Sequence, residues 1–208
     1  MAKFDLLLEA PKHIMESGDE IHNAYFTIDT ADLITFYEWY AFNPHIVTYA
    51  VHDNETVGYY NIYPLTEACG QLFDQQAIKE EDIKVSHLLP IEATRHAQYA
   101  YLASIAIKNR KDYLNRQCAA ALVSSMAEQL IYMYDLTKLK RVFANPTTFN
   151  GNMLVRKLGF KPVVSHKKPL KGNDIYALDI TPETVEKLQG LAQRYARFIN
   201  TRPWQINS

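Results

Sequence analysis

Lys108, Arg110, Lys111 and Arg116 place four cations inside the stretch Lys108-Asn-Arg-Lys-Asp-Tyr-Leu-Asn-Arg116. The residues on either side give that cluster a purpose. Before it, Tyr101-Leu-Ala-Ser-Ile-Ala-Ile107 is apolar and ends in β-branched residues, the composition of a central strand covered on both faces. After it, Leu114, Cys118, Leu122, Met126 and Leu130 recur every four residues, flanked by Ala119, Val123, Ala127 and Ile131. That period predicts a long helix with one wide apolar stripe. A strand, a cationic turn and a helix N-terminus, whose first N–H groups lack partners and carry the positive end of the dipole, together predict a cradle for a diphosphate.

The elements around this cradle follow from local patterns. Thr30 to Phe42 reads as a helix ended by Asn43-Pro44, and Ile46 to His52 with Thr56 to Tyr63 as an antiparallel hairpin turned at Asp53-Asn-Glu-Thr. An insertion of about 66–96, beginning as a helix, should border a cleft. Lys140 to Asn145 reads as a short strand stopped by Pro146. Thr148 to Leu158 reads as a helix with Phe149, Met153, Leu154 and Leu158 inward, closed by Gly159. Phe160 to Lys168 and Asp174 to Ile180 should pair as a hairpin across a Pro169/Gly172 turn. Thr181-Pro182 caps a C-terminal helix at about 182–199, and the tail from Thr201 reads as loose. Phe4 to Leu8 fits a strand and a helical turn equally well. With no repeat and no dividing linker, 1–208 reads as a single domain.

Bulk properties exclude several classes. A net charge of −1 argues against a dedicated nucleic-acid binder. The nine Lys and Arg residues between Leu136 and Asn173 span two strands and a helix, so their charges need not share a face. Glu67 to Asp82 is acidic, with Glu67, Asp74, Glu80, Glu81 and Asp82 against a single Lys79. Both are solvated faces of opposite sign, or an anionic cofactor meets the basic half and an amine the acidic one. Only Cys69 and Cys118 are present, one of them on the helix stripe, which points away from a disulfide framework and toward a reducing, cytoplasmic setting. No apolar run approaches the length of a membrane span. His13, His22 and His45 share no ligand spacing with a Cys or acid cluster, so no metal is expected.

The order hairpin, central strand, basic loop, long helix, short strand, a helix ending in Lys157-Leu-Gly-Phe160 and a final hairpin resembles the GNAT superfamily of acyl-CoA-dependent N-acetyltransferases. The resemblance implies an α/β (α+β) fold, with a mixed, mostly antiparallel central sheet flanked by helices. It also implies acetyl-CoA as co-substrate and an amine of a small molecule or peptide as acceptor. The pyrophosphate loop of that family, Arg/Gln-x-x-Gly-x-Gly/Ala, falls on Leu114-Asn-Arg-Gln117-Cys-Ala119, where Gln117 stands in place of the first Gly. On that alignment Ile105, Ala106 and Ile107 offer backbone groups to the pantetheine. Arg110, Lys111, Asn115, Arg116, Gln117, Cys118 and Ala119 surround the phosphates, and Asn145 and Asn150 resemble contacts farther along the cofactor.

The family's frequent catalytic side chains are replaced. Val155 occupies the position of a tyrosine acid, and Ala103 that of a glutamate base. Substitutes are Glu92 and His96 as bases, directly or through water, and Tyr113 as acid. As ordinary residues, the first two are exposed loop positions and Tyr113 is a packing residue. The expected function is therefore N-acetyl transfer by direct attack of an amine on the thioester. The alternative is a non-catalytic member of the same fold that binds an acyl-CoA or a protein. Trp39 and the terminal Tyr195, Phe198 and Trp204 either cover the core or form a homodimer surface.

Overall fold

Asp53 and Asn54 both take positive φ, 52° and 60°, as a two-residue type I′ turn requires. They join β2 (Val47–His52) to β3 (Glu55–Leu65), the hairpin at the middle of the sheet. The structure is a computed structural model and describes residues 2–25, 33–108, 114–164 and 174–204. Its remaining strands are β1 (Phe4–Leu7), β4 (Tyr99–Ile107), β5 (Arg141–Ala144), β6 (Lys161–Pro162), β7 (Tyr176–Asp179) and β8 (Ile199–Thr201). They form one sheet in the order β6-β7-β5-β4-β3-β2-β1-β8. Among the described residues only β4 with β5 and β1 with β8 run parallel, so the sheet is mixed and mostly antiparallel, as expected.

Period-2 alternation along β3 divides the core. Tyr60 and Ile62 point to one face, where they meet α4 (Leu114–Thr137) and α6 (Pro182–Tyr195). Tyr59 and Tyr63 point to the other, with α1 (Lys12–Tyr25), α2 (Leu33–Phe42) and α3 (Glu67–Asp74). Helix α4 is buried well beyond the expected stripe. Ser124, Ser125 and Gln129 are also enclosed: α6 covers the side of Ser124, whose hydroxyl donates to Ala192 O at 2.7 Å, and Ser125 meets Tyr60 Oη at 3.1 Å. The stripe itself packs on the sheet as its spacing requires.

Several expectations are corrected. The N-terminal stretch, read without a clear element, contains β1 and α1. Its inward stripe Ile14, Gly18 and Ile21 carries a glycine at the point where a Cβ would sit 2.7 Å from the Tyr49 ring. The insertion is helical only through α3, then follows short 3-10 turns over Glu80–Asp82, Val85–His87 and Ile91–His96. In α5 (Phe149–Leu158) the inward face is Val155 and Leu158, while Phe149 and Met153 are 79% and 41% exposed. Thr148 caps the helix by accepting from Gly151 N–H, and the register thus fixed turns Phe149 outward. As far as Trp204 the tail is not loose: β8 pairs with β1, and Trp204 is buried with its indole N–H donating to Tyr60 Oη at 3.0 Å. Trp39, Phe198 and Trp204 all lie in the core. The Pro169/Gly172 turn lies outside the described residues.

Candidate active site

Strands β4 and β5 pair only from Tyr99↔Arg141 to Leu102↔Ala144. Beyond that point β4 continues to Ile107, while the chain leaves β5 through Asn145-Pro146, and Pro146 has no N–H with which to extend the ladder. A bulge accompanies the divergence. Asn61 pairs with Ser104 and Ile62 with Leu102, so Ala103 is an extra residue in β4 that bends it at the mouth of the gap. Lys108 N–H donates to Val57 O at 2.8 Å on the β3 side. Because strand amides alternate in direction, Ile105 and Ile107 aim their N–H and C=O groups into the gap. Ala106 turns its own toward β3, where its carbonyl lies 2.8 Å from the point a Cβ on Gly58 would occupy. Of the three strand residues expected to face a cofactor through their backbone, Ile105 and Ile107 open onto the gap and Ala106 turns away from it.

Helix α4 opens beyond the end of β4. Arg110, Lys111 and Tyr113 lie outside the described residues. Asn115, Arg116 and Gln117 lie in the first turn of α4, the end at which a helix carries the positive end of its dipole. Arg116 is exposed and free to reach an anion. Gln117 is engaged elsewhere, its Oε1 accepting from Ala2 N–H at 2.9 Å. Cys118 packs inward, with Sγ 3.6 Å from Val57 O, and burial pushes its thiol up to about 12. It and Ala119 are small residues under the turn, with no side chain suited to holding an anion. Across the gap, Asn145 is half-buried and Asn150 exposed. The Asn145 backbone N–H lies against the Tyr101 hydroxyl, which places that phenol at the end of β5 where the gap begins.

On the face covered by α1 and α2, a row of polar groups crosses the strands. Tyr37 donates its hydroxyl hydrogen to Asp19 Oδ2, and His22 Nδ1 lies 3.4 Å from Tyr59 Oη. Asn61 Nδ2 donates to Tyr63 Oη at 3.4 Å. Burial holds the Asp19 carboxyl above its ordinary range and the His22 imidazole below its own. Asp19, His22, Tyr49, Tyr59 and Asn61 line a small cavity there, and Asn61 Oδ1 is buried without a partner. The row ends at Tyr101, whose hydroxyl donates to Glu80 Oε2 at 3.2 Å. Desolvation pushes the Glu80 carboxyl up to about 8, against the lowering effect of that hydrogen bond. The resulting carboxylate is far more basic than an ordinary glutamate.

Glu80 was visible in the sequence only as one member of an acidic run. The signal that could have singled it out is its position between Ile78 and Ile83, which are both buried and press this segment onto the sheet. Glu92 and His96 occupy the 3-10 turn Ile91–His96 and are exposed. Glu92 borders a cavity with Tyr132 and Leu136 of α4. Tyr132 lies about 27 Å along the helix from Leu114, at about 1.5 Å per residue. The structure thus sets Glu92 at the far end of α4 from the gap. Among the described residues no group of His, Cys, Asp and Glu could hold a metal ion, and both cysteines are free. No helix among them is long and apolar enough to cross a membrane.

No protein-family model matches the chain, and no curated protein matches it in sequence. Solved structures do match in shape. The GNAT family N-acetyltransferase YhbS from Escherichia coli, in complex with CoA, aligns over 89% of this chain and 86% of its own with a TM-score of 0.53 at 14% identity. The chain has the GNAT fold. The ribosomal-protein-S18-alanine N-acetyltransferase from Escherichia coli aligns over 86% of this chain and 94% of its own, with TM-score 0.51 and 11% identity. Ard1 from Thermoplasma volcanium aligns over 86% and 99%, with TM-score 0.50 and 12% identity. At these identities the likeness is one of fold.

Proposed function

We propose that the chain is an acyl-CoA-dependent N-acetyltransferase that uses acetyl-CoA, with an amine of a small molecule or peptide as acceptor. The observation that carries this reading is the edge of β4 past Leu102, unpaired among the described residues, with Glu80 held at its mouth through Tyr101. One of the fold neighbours, YhbS, was solved with CoA, which supports the same ligand class here.

Acetyl-CoA would supply an acetyl group activated as a thioester. Ile105 and Ile107 offer N–H donors along the vacated edge, for the amide-bearing arm and for negative charge at the reacting carbonyl oxygen. The first turn of α4 and the Arg116 guanidinium meet the phosphates. The acceptor enters on the face of Asp19, His22, Tyr59 and Asn61. There Glu80, once ionised, removes a proton from its ammonium, directly or through water. A carboxylate poised near pH 8 suits that task, because an ordinary one is too weak a base toward an alkylammonium. The departing thiolate resembles that of a cysteine, which at about pKa 8.5 leaves without a dedicated side-chain acid. Val155 in the usual position of the acid is thereby accommodated.

Release of free thiol from acetyl-CoA in the presence of an amine panel tests the proposal. Amine-dependent release that rises with pH toward 8 and collapses in Glu80→Gln supports it. Coenzyme A binding without thiol release on any amine assigns the fold a binding role instead.

A further inference from the structure

The polar residues of the proposed transfer site leave a second cavity unexplained. It lies on the opposite face of the sheet, between α4, the 3-10 turn Ile91–His96 and the C-terminal segment, and has a volume of about 170 Å³. Measured alike, one water needs only about 10–15 Å³, so the space accepts a small organic molecule. Its wall is aromatic. Trp204 is flanked by Tyr132 at 5.5 Å and His45 at 6.0 Å between ring centroids. Met133 and Leu136 add apolar surface.

Three polar groups face this apolar space with unused capacity. Gln129 lines it, is 2% exposed, and has an Oε1 with no hydrogen-bond partner. Leaving such an acceptor buried and unpaired costs about 1–3 kcal/mol. Glu92 and Arg95 also line the cavity, three residues apart on a 3-10 turn, where side chains at that spacing eclipse. Neither forms an ion pair with the other or with any described residue, although Arg95 Nε donates to His96 Nε2 at 3.3 Å. An anion and a cation thus stand apart at the rim of an aromatic cavity with an unpaired acceptor in its wall.

We propose that this cavity binds a free α-amino acid with an apolar or aromatic side chain. Arg95 takes the carboxylate, Glu92 and Gln129 Oε1 take the ammonium, and the side chain lies against Trp204 and Tyr132. An apolar molecule alone would leave Gln129 unpaired. A carboxylate or an amine alone would leave one rim charge without a partner. The site is separate from the transfer site and does not depend on its assignment.

Calorimetric titration of the full chain with L-phenylalanine, beside phenethylamine and 3-phenylpropionate as analogues lacking one charge, tests this. L-Phenylalanine should bind at least about tenfold more tightly than either analogue, a difference of about 1.4 kcal/mol. Arg95→Met, at an exposed position that leaves the fold intact, and Gln129→Leu should each weaken binding by a similar factor. Thermal unfolding without ligand checks that both variants fold. Absence of heat with L-phenylalanine and L-leucine up to about 10 mM would overturn the proposal. So would binding that survives both substitutions but is lost in Asn61→Leu, because that places the amino acid on the other face of the sheet.

Discussion

Tyr101 Oη and Glu80 Oε2 lie 3.2 Å apart, the phenol donating. This bond ties the central strand to the insertion, alongside the burial of Ile78 and Ile83. The Tyr101 ring stacks on Phe73 of α3, with centroids 4.8 Å apart, so the insertion is fixed on both sides of the carboxyl. The carboxyl is consequently enclosed and its ionisation displaced upward.

That displacement gives a pH signature in stability as well as in rate. The folded-state value, about 8, lies above the ordinary 4.5, so the folded chain holds the Glu80 proton more tightly than the unfolded chain does. The stabilising contribution is complete below about pH 4.5, declines as pH rises, and is lost above about pH 8. Compared with Glu80→Gln, the wild type should therefore lose stability between those limits, by at most a few kcal/mol because the residue keeps some exposed surface. Urea unfolding of both proteins at intervals of pH checks this. Parallel curves would show an ordinary carboxylate.

Asn61→Leu separates stability from function. The side chain contributes one long hydrogen bond to Tyr63 and leaves Oδ1 unpaired, so an apolar replacement should shift the unfolding free energy by less than about 1 kcal/mol. Acetyl transfer should fall by about tenfold or more if Asn61 holds the acceptor. Steady-state kinetics should show the loss mainly in KM for the amine.

Arg116→Ala should leave the melting temperature unchanged, since the side chain is exposed. It should weaken coenzyme A binding about tenfold, the scale of one charge-assisted contact. Titrations at low and high salt would converge for the two proteins, because the missing attraction is the screened one.

Gly18→Ala should destabilise. The added Cβ would meet Tyr49 Cε1 at 2.7 Å, and Tyr49 is itself buried against the hairpin, so α1 must move outward. A cost of about 1–3 kcal/mol is expected in the urea midpoint. The same outward shift would carry Asp19 and His22 away from Tyr59, lowering transfer more than stability alone explains.

Much of the scaffold could be read from local chemistry. The Asp53-Asn54 turn, the apolar run of β4, the four-residue period of α4, and the Thr148 and Gly159 caps around α5 each act within a few residues of themselves. The parts that were not legible depend on distant contacts. Glu80 is unusual only because Ile78 and Ile83 dock its segment against Tyr101, and Gln117 is occupied only because Ala2 reaches it. The α1 stripe hides behind Gly18, which reads as a helix weakness until Tyr49 is seen beneath it. Glu92 and His96 stood near β4 in sequence, but at the end of the strand farthest from the gap.

The pairing of β8 with β1 sets an order of events during synthesis. Phe4 aligns with Ile199, and Asp5 accepts from both Asn200 and Thr201, so the first strand of the sheet acquires its outer neighbour from residues made nearly two hundred positions later. While the ribosome is still translating, β1 presents an open edge to every other nascent chain nearby. Chaperone dependence should accordingly concentrate in the interval before residue 201 clears the exit tunnel, and a stop codon just upstream of Ile199 should yield aggregates rather than a soluble short form.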